Sequence, residues 1–206
     1  MRIISGSAGG LTLQVPRSVT RPTSDRVREA LFSILGDRVR GARVLDLFAG
    51  SGALGLEALS RGAVAATFVE QDRRAVDVIR RNLAHCRLDP PPGNRAGFIR
   101  LHATDVYQWL RRFGSNTTAT SDPAMFDLVF ADPPYTKRDH DRDHARDLLA
   151  HPRLPGLLTT DGWLVLETTA DWRPPDPPPP PWQQQDDRCY GGTRLSCWRA
   201  APTGAP

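Results

Sequence analysis

Apolar residues along this chain change their spacing again and again. Residues 43–48 (RVLDLF), 65–70 (AATFVE), 97–103 (GFIRLHA), 126–131 (FDLVFA) and 162–168 (GWLVLET) are apolar runs of strand length. Between them, residues 53–62, 73–86, 106–113 and 145–154 carry apolar positions at helical spacing. Strands alternating with helices of this length predict an α/β domain with a parallel sheet and right-handed crossovers. Two hairpins flank the pattern. Residues 2–5 and 11–15 enclose the turn GSAGG, and two short apolar runs enclose Gly191-Gly192 near the other end. The second pair predicts antiparallel strands that close one edge of the sheet. Ser24 is a candidate N-cap for a helix carrying Val27, Ala30, Leu31, Ile34 and Leu35, with Gly36 as its stop. Residues 88–96 and 114–124 read as loops, 173–182 (RPPDPPPPPW) as stiff polyproline II acting as a spacer, and 201–206 as a disordered tail.

Composition narrows the class. The chain has 206 residues, 39% of them hydrophobic, enough for one domain with a sizeable core. No apolar run approaches the roughly 20 residues that span a bilayer, and the N-terminus lacks the pattern of a signal peptide. A cytoplasmic protein without a membrane partner is expected. Cys86, Cys189 and Cys197 form no CxxC pair, so thiols are expected rather than a disulfide or zinc framework.

Charge adds a direction. The formal net charge is +4, unevenly placed. Residues 1–43 hold eight arginines against Asp25, Glu29 and Asp37, whereas the remainder is near neutral. Such a basic segment suits a polyanion, although a soluble arginine-rich surface also explains it.

The stretch LDLFAGSGALGLE contains Gly50, Gly52 and Gly55 between a strand and a helix, and Glu70 ends the next strand. Glycines let backbone N–H groups approach a ligand, and a carboxylate at the second strand tip accepts ribose hydroxyls. This spacing serves NAD or FAD and S-adenosylmethionine alike. Asp46, within the first strand, favours a cationic ligand over a pyrophosphate. Asp105 is placed either to meet an adenine amino group or to cap the following helix.

The fourth strand stops at Asp132-Pro133-Pro134-Tyr135. In a doubly wound sheet that end faces the same cleft as the glycine loop. An exocyclic amine on a nucleobase is a poor nucleophile because its lone pair is delocalised into the ring. Acceptors aimed at its hydrogens favour the pyramidal geometry needed to attack a methyl carbon. The Asp132 carboxylate and a carbonyl fixed by Pro133 and Pro134 are such acceptors, and Tyr135 supplies a stacking surface.

With these residues in view, the chain resembles the bacterial ribosomal RNA small subunit methyltransferase D family. The resemblance rests on RPTSDRVREALFSIL, LDLFAGSGALGLEALSRGA, FVEQD, FADPPY, DGWLVLET and YGGTRLSCW. It implies a Rossmann-like class I methyltransferase with a seven-stranded, mostly parallel sheet ending in an antiparallel hairpin. It also implies methyl transfer from S-adenosylmethionine to N2 of a guanine in 16S rRNA. The domains it implies are residues 1–40, a hairpin and helix that contact RNA, and residues 41–200, the methyltransferase domain. Residue by residue, it puts the cofactor against Thr23, Asp46, Phe48, Ala49, Gly50, Ser51, Gly52, Glu70, Gln71, Asp105 and Val106. It puts the target guanine against Asp132, Pro133, Pro134 and Tyr135. Arg17, Arg21, Arg26, Arg28, Lys137 and Arg138 are the expected contacts to 16S rRNA or the small ribosomal subunit, and a monomer is expected. The uncharged first turn, GSAGG, and the polyproline insert depart from the family pattern.

His140 and His144 stand four residues apart, but a metal needs at least a third ligand, so no metal is expected. Trp109 and Trp163 are expected in the core. Three alternatives to a guanine-N2 methyltransferase remain: a nicotinamide oxidoreductase, an adenine-N6 methyltransferase acting on DNA or RNA, and an RNA-binding module without catalysis.

Overall fold

Helix α1, Asp25–Leu35, starts where the Ser24 hydroxyl accepts a hydrogen bond from the Val27 N–H at 3.2 Å. It stops at Gly36, whose φ of 52° an L side chain rarely adopts. In the computed structural model, which describes residues 1–16, 24–88, 99–112, 125–135 and 141–201, the alternating pattern continues without exception. It runs through β1 (Arg43–Leu47), α2 (Ala53–Ser60), β2 (Ala65–Glu70), α3 (Arg73–His85), β3 (Ile99–Ala103), α4 (Val106–Arg112) and β4 (Phe126–Ala131). Helix α5 (His144–Leu149), β5 (Leu158–Thr169), β6 (Trp182–Tyr190) and β7 (Thr193–Ala200) complete the fold.

The seven strands form one sheet in the order β3-β2-β1-β4-β5-β7-β6. The pairs β1–β2, β2–β3, β1–β4 and β4–β5 are parallel, and β7 runs antiparallel to both β5 and β6. This is the Rossmann-like α/β sheet with a terminal antiparallel hairpin that the sequence pattern predicts. Strand order reverses between β1 and β4, where Leu47 lies beside Ala131. The loops after these two strands therefore emerge next to one another, where ligands bind in such sheets.

Side-chain alternation divides the core. Leu45, Leu47, Val129, Leu164 and Leu166 face one side, packed with Trp109, Leu148, Trp182 and Trp198. Val44, Leu128, Phe130 and Val165 face the other, against Leu31, Phe32 and Leu35 of α1. Burying each such side chain contributes about 1.5–3 kcal/mol. The N-terminal turn joins a third cluster, in which Ile3, Ala8 and Leu13 pack with Leu56, Phe68 and Ile79.

Four expectations need correction. The first hairpin has a single bridge, Arg2 with Thr12, because the chain already bends at Ser5 and at Gly6, whose φ is 89°. Helix α5 ends at Leu149 rather than 154, since the ring of Pro152 prevents continuation. The proline segment bends at residues 176–177 and turns at 180–181 instead of running as a continuous polyproline II rod. Trp163 is half-buried, with the Arg38 guanidinium 4.5 Å above its ring, whereas Trp109 is in the core as expected.

Candidate active site

The loop after β1 bends sharply. Phe48 has φ of 58°, an uncommon conformation for an aromatic residue, and Gly50 and Gly52 also have positive φ. The Phe48 ring is held by edge contacts to Tyr107 at 6.3 Å and His144 at 5.3 Å. The strained turn thus has packing on its side-chain face to fix it. Ala49, Ser51 and Gly52 are buried beneath the loop surface.

Glu70, at the tip of β2, clamps this loop. Its Oε2 accepts from the Gly50 N–H at 2.8 Å, and its Oε1 accepts from the Asp72 N–H at 2.8 Å. Both carboxylate oxygens keep further lone pairs for a diol. Gln71 beside it is exposed.

Gly55 answers to packing rather than to a ligand. A Cβ there would lie 2.3 Å from the Phe68 ring. The third glycine of the motif therefore lets α2 approach β2.

Asp46 differs from its expectation. It is 2% exposed, and its Oδ2 accepts from the Gly55 N–H at 2.9 Å, so the carboxylate caps α2 instead of opening onto ligand space. Burial pushes its carboxyl well above the usual carboxylate range. The Gly55 bond opposes that shift, and the Asp132 and Glu70 charges reinforce it. Asp46 therefore lies close enough to the ends of β2 and β4 to feel both charges.

Asp105 is an N-cap, its Oδ1 accepting from the Gln108 N–H at 2.9 Å. Val106, next in the chain, is buried.

After β4, Asp132 is half-buried, Pro133 buried and Pro134 exposed. The Tyr135 hydroxyl donates to Glu167 Oε1 at 3.2 Å. Burial, then the charges of Glu167 and Asp132, push the Tyr135 phenol above its usual range. The phenol therefore stays neutral, with its hydroxyl held by Glu167. Beside this turn opens a cavity of about 220 Å³, bounded by Pro133, Pro134, Tyr135, His144, Glu167 and Trp172 among others.

Several of these residues escaped the sequence reading. Glu167 is 3% exposed within an apolar strand, and a charge placed there was the available signal. His144 does not stand in a metal cluster; no group of three or more potential ligands occurs among the described residues. It meets the Tyr107 hydroxyl through Nδ1 at 3.0 Å, while Arg142 lies 3.6 Å over the Tyr107 ring. Burial, and secondarily Arg142, lower the His144 pKa.

Of the expected RNA contacts, Arg26 is exposed. Arg28 is not available to RNA: it is fully buried. It shares the inner face of α1 with Leu31 and Leu35, three and seven residues on, and its Nη2 donates to Asp25 Oδ1 at 2.8 Å and to the Arg2 carbonyl. Among the described residues, its Nε and Nη1 have no hydrogen-bond partner. Arg17, Arg21, Thr23, Lys137, Arg138 and His140 lie outside the described residues. Cys86, Cys189 and Cys197 are free thiols. Among the described residues, no helix is long and apolar enough to cross a membrane.

Comparison with known proteins bears on this site. Residues 1–199 match the protein-family model described as "Conserved hypothetical protein 95". The chain is similar to the ribosomal RNA small subunit methyltransferase D of Escherichia coli (strain K12), 39% identical over 168 residues, which span 81% of this chain and 71% of that protein. A solved hypothetical protein of Thermus thermophilus is 33% identical with a TM-score of 0.73, covering 97% of this chain and 99% of that one. SMU.776, solved in complex with SAH, aligns with a TM-score of 0.62 over 85% of this chain and 48% of that one. At 17% identity that likeness shows the fold alone.

Proposed function

Because the chain belongs to the ribosomal RNA small subunit methyltransferase D family, we propose that it methylates the exocyclic N2 of a guanine in 16S rRNA, using S-adenosylmethionine. The observation that carries this reading is the adjacency of Leu47 and Ala131. It brings the glycine loop and the Asp132–Tyr135 turn to one crevice.

The donor set fits the cofactor. Glu70 and Asp132, carboxylates at the ends of β2 and β4, favour a cationic amino acid and repel a pyrophosphate, which argues against the nicotinamide alternative. Glu70 would hold the ribose hydroxyls, the loop N–H groups of residues 48–52 the amino-acid end, and residues 105–106 the adenine edge. When bound, the cofactor supplies an electrophilic methyl group.

The chain's own residues then act on the acceptor. Asp132 and the Pro133 carbonyl accept the hydrogens of the guanine amine and localise its lone pair. Tyr135 stacks on the base, and its bond to Glu167 fixes the ring. The methylated amine loses one proton to the acceptors or to water. Arg26, Arg17 and Arg21, together with Lys137 and Arg138, would meet rRNA phosphates, and residues 1–40 would serve as the RNA-contacting extension. A cytoplasmic monomer acting on rRNA or on the small subunit completes the reading.

Labelled-methyl transfer into small subunits from cells lacking this protein, followed by nucleoside analysis, tests it. N2-methylguanosine is the expected product. N6-methyladenosine, or no transfer to RNA by folded protein that binds the cofactor, would refute it.

A further inference from the structure

The cavity beside the Asp132–Tyr135 turn is bordered by a carboxyl group, Glu167, whose role in the proposed reaction so far is to hold Tyr135. Glu167 lies near the carboxyl end of β5 after Leu164, Val165 and Leu166, and it is 3% exposed. Placing a carboxylate there is unfavourable unless it meets hydrogen-bond donors. The Tyr135 hydroxyl is one such donor, at 3.2 Å, and the buried Arg28 is attracted to the same carboxylate. Glu167 also borders the cavity, together with Pro133 and Tyr135.

Beside the Tyr135 ring, at the Asp132–Tyr135 turn, the groups present are acceptors, whereas His144, Thr168 and Thr169 carry the donors elsewhere on the cavity. Glu167 and Asp132 can only accept when ionised, the Pro133 carbonyl can only accept, and the Tyr135 proton is already directed at Glu167. A base suited to such a wall presents donors alone on the edge that bears its amine. On the N1 side of its N2 amine guanine does so, through N1–H, while its acceptors N3 and O6 lie to either side of that donor pair. Adenine offers an N1 lone pair beside its N6 amine, which a carboxylate repels.

Building on the proposed guanine-N2 reading, we infer that Glu167 selects the target base by accepting the guanine N1–H, while Asp132 and Pro133 attend the neighbouring amine. Glu167 is thus a specificity residue at the base, and its bond to Tyr135 couples base identity to the stacking ring.

The test replaces the target guanine, once its position is mapped by nucleoside analysis, with 2-aminopurine in reconstituted small subunits. 2-Aminopurine keeps the exocyclic amine but carries a lone pair at N1. Wild-type protein should prefer guanine by about 100-fold in kcat/KM. Glu167→Gln, whose carbonyl still accepts the guanine N1–H and whose amide can donate to that lone pair, should narrow the preference to less than about 10-fold, mainly by gaining activity on 2-aminopurine. Thermal melting and cofactor titration establish that the variant is folded. An unchanged preference in folded Glu167→Gln overturns the inference. If Glu167→Gln fails to fold, the wild-type arm still decides, because equal transfer to both bases overturns it. Absence of transfer by wild-type protein to unmodified subunits refutes the guanine-N2 reading instead.

Discussion

Glu70 Oε2 accepts the Gly50 N–H at 2.8 Å, which ties the tip of β2 to the loop that follows β1. The carboxylate that would hold a ribose also holds the glycine loop in shape. Glu70→Ala therefore removes a ligand and a clamp together. The cofactor Kd should rise roughly 10- to 100-fold, the worth of a charged hydrogen bond of about 1.5–3 kcal/mol. Glu70→Gln, which keeps an acceptor for Gly50, should lose less. Calorimetric titration reads both, and equal affinity in wild type and Glu70→Ala would contradict the assignment.

Asp46 predicts a pH dependence of stability. Its folded pKa is raised, chiefly by burial, so the folded state binds the proton more tightly than the unfolded chain. The contribution is fully present below the unfolded carboxyl pKa of about 4 and is lost as pH rises through the folded value. Asp46→Asn abolishes this titration. Wild type should therefore lose stability relative to Asp46→Asn as pH rises from about 4 upward, in urea melts across that range. A difference that stays flat, or that grows in favour of wild type, would contradict it.

Gly55→Ala tests the packing role of the third glycine. The new methyl would sit 2.3 Å from Phe68 Cε1, so the ring or α2 must shift. Overpacking of this kind costs about 1–3 kcal/mol. A midpoint unchanged in denaturant would show that α2 and β2 are farther apart than described.

Arg26 and Arg28 should separate by phenotype. Arg26 is exposed, and its replacement by Ala should weaken rRNA affinity and lower the slope of log K against log salt by about 1. Arg28 is buried against Asp25 and the Arg2 carbonyl. Arg28→Ala should cost about 3 kcal/mol of stability and leave the salt slope of the folded protein unchanged. The reverse pattern would place Arg28 at the RNA.

The α/β order was legible because β1, β2, β4 and the second half of β5 are short apolar runs, and α3, α4 and α5 between the strands each have a polar face. The two hairpins were marked by glycines. Individual contacts were less legible. Asp105 offered a ligand reading and a capping reading, Asp46 a ligand reading alone, and both accept a hydrogen bond from a helix's first turn. Arg28 looked like surface charge because net charge carries no facing information; its spacing to Leu31 and Leu35 does. The charge at Glu167 within an apolar strand was a signal, but nothing local in the sequence says which loop packs over that strand tip. Only the pairing of β4 with β5 brings it to Tyr135.

The central claim is that Asp132 acts on the acceptor amine in the crevice shared with the glycine loop. Methyl transfer to small subunits by Asp132→Ala, measured with cofactor affinity on the same preparation, tests it most directly. The account predicts kcat lower by about 100- to 1000-fold with cofactor Kd changed by less than about 10-fold. Transfer by Asp132→Ala at the wild-type rate, with the cofactor bound as tightly, would contradict it.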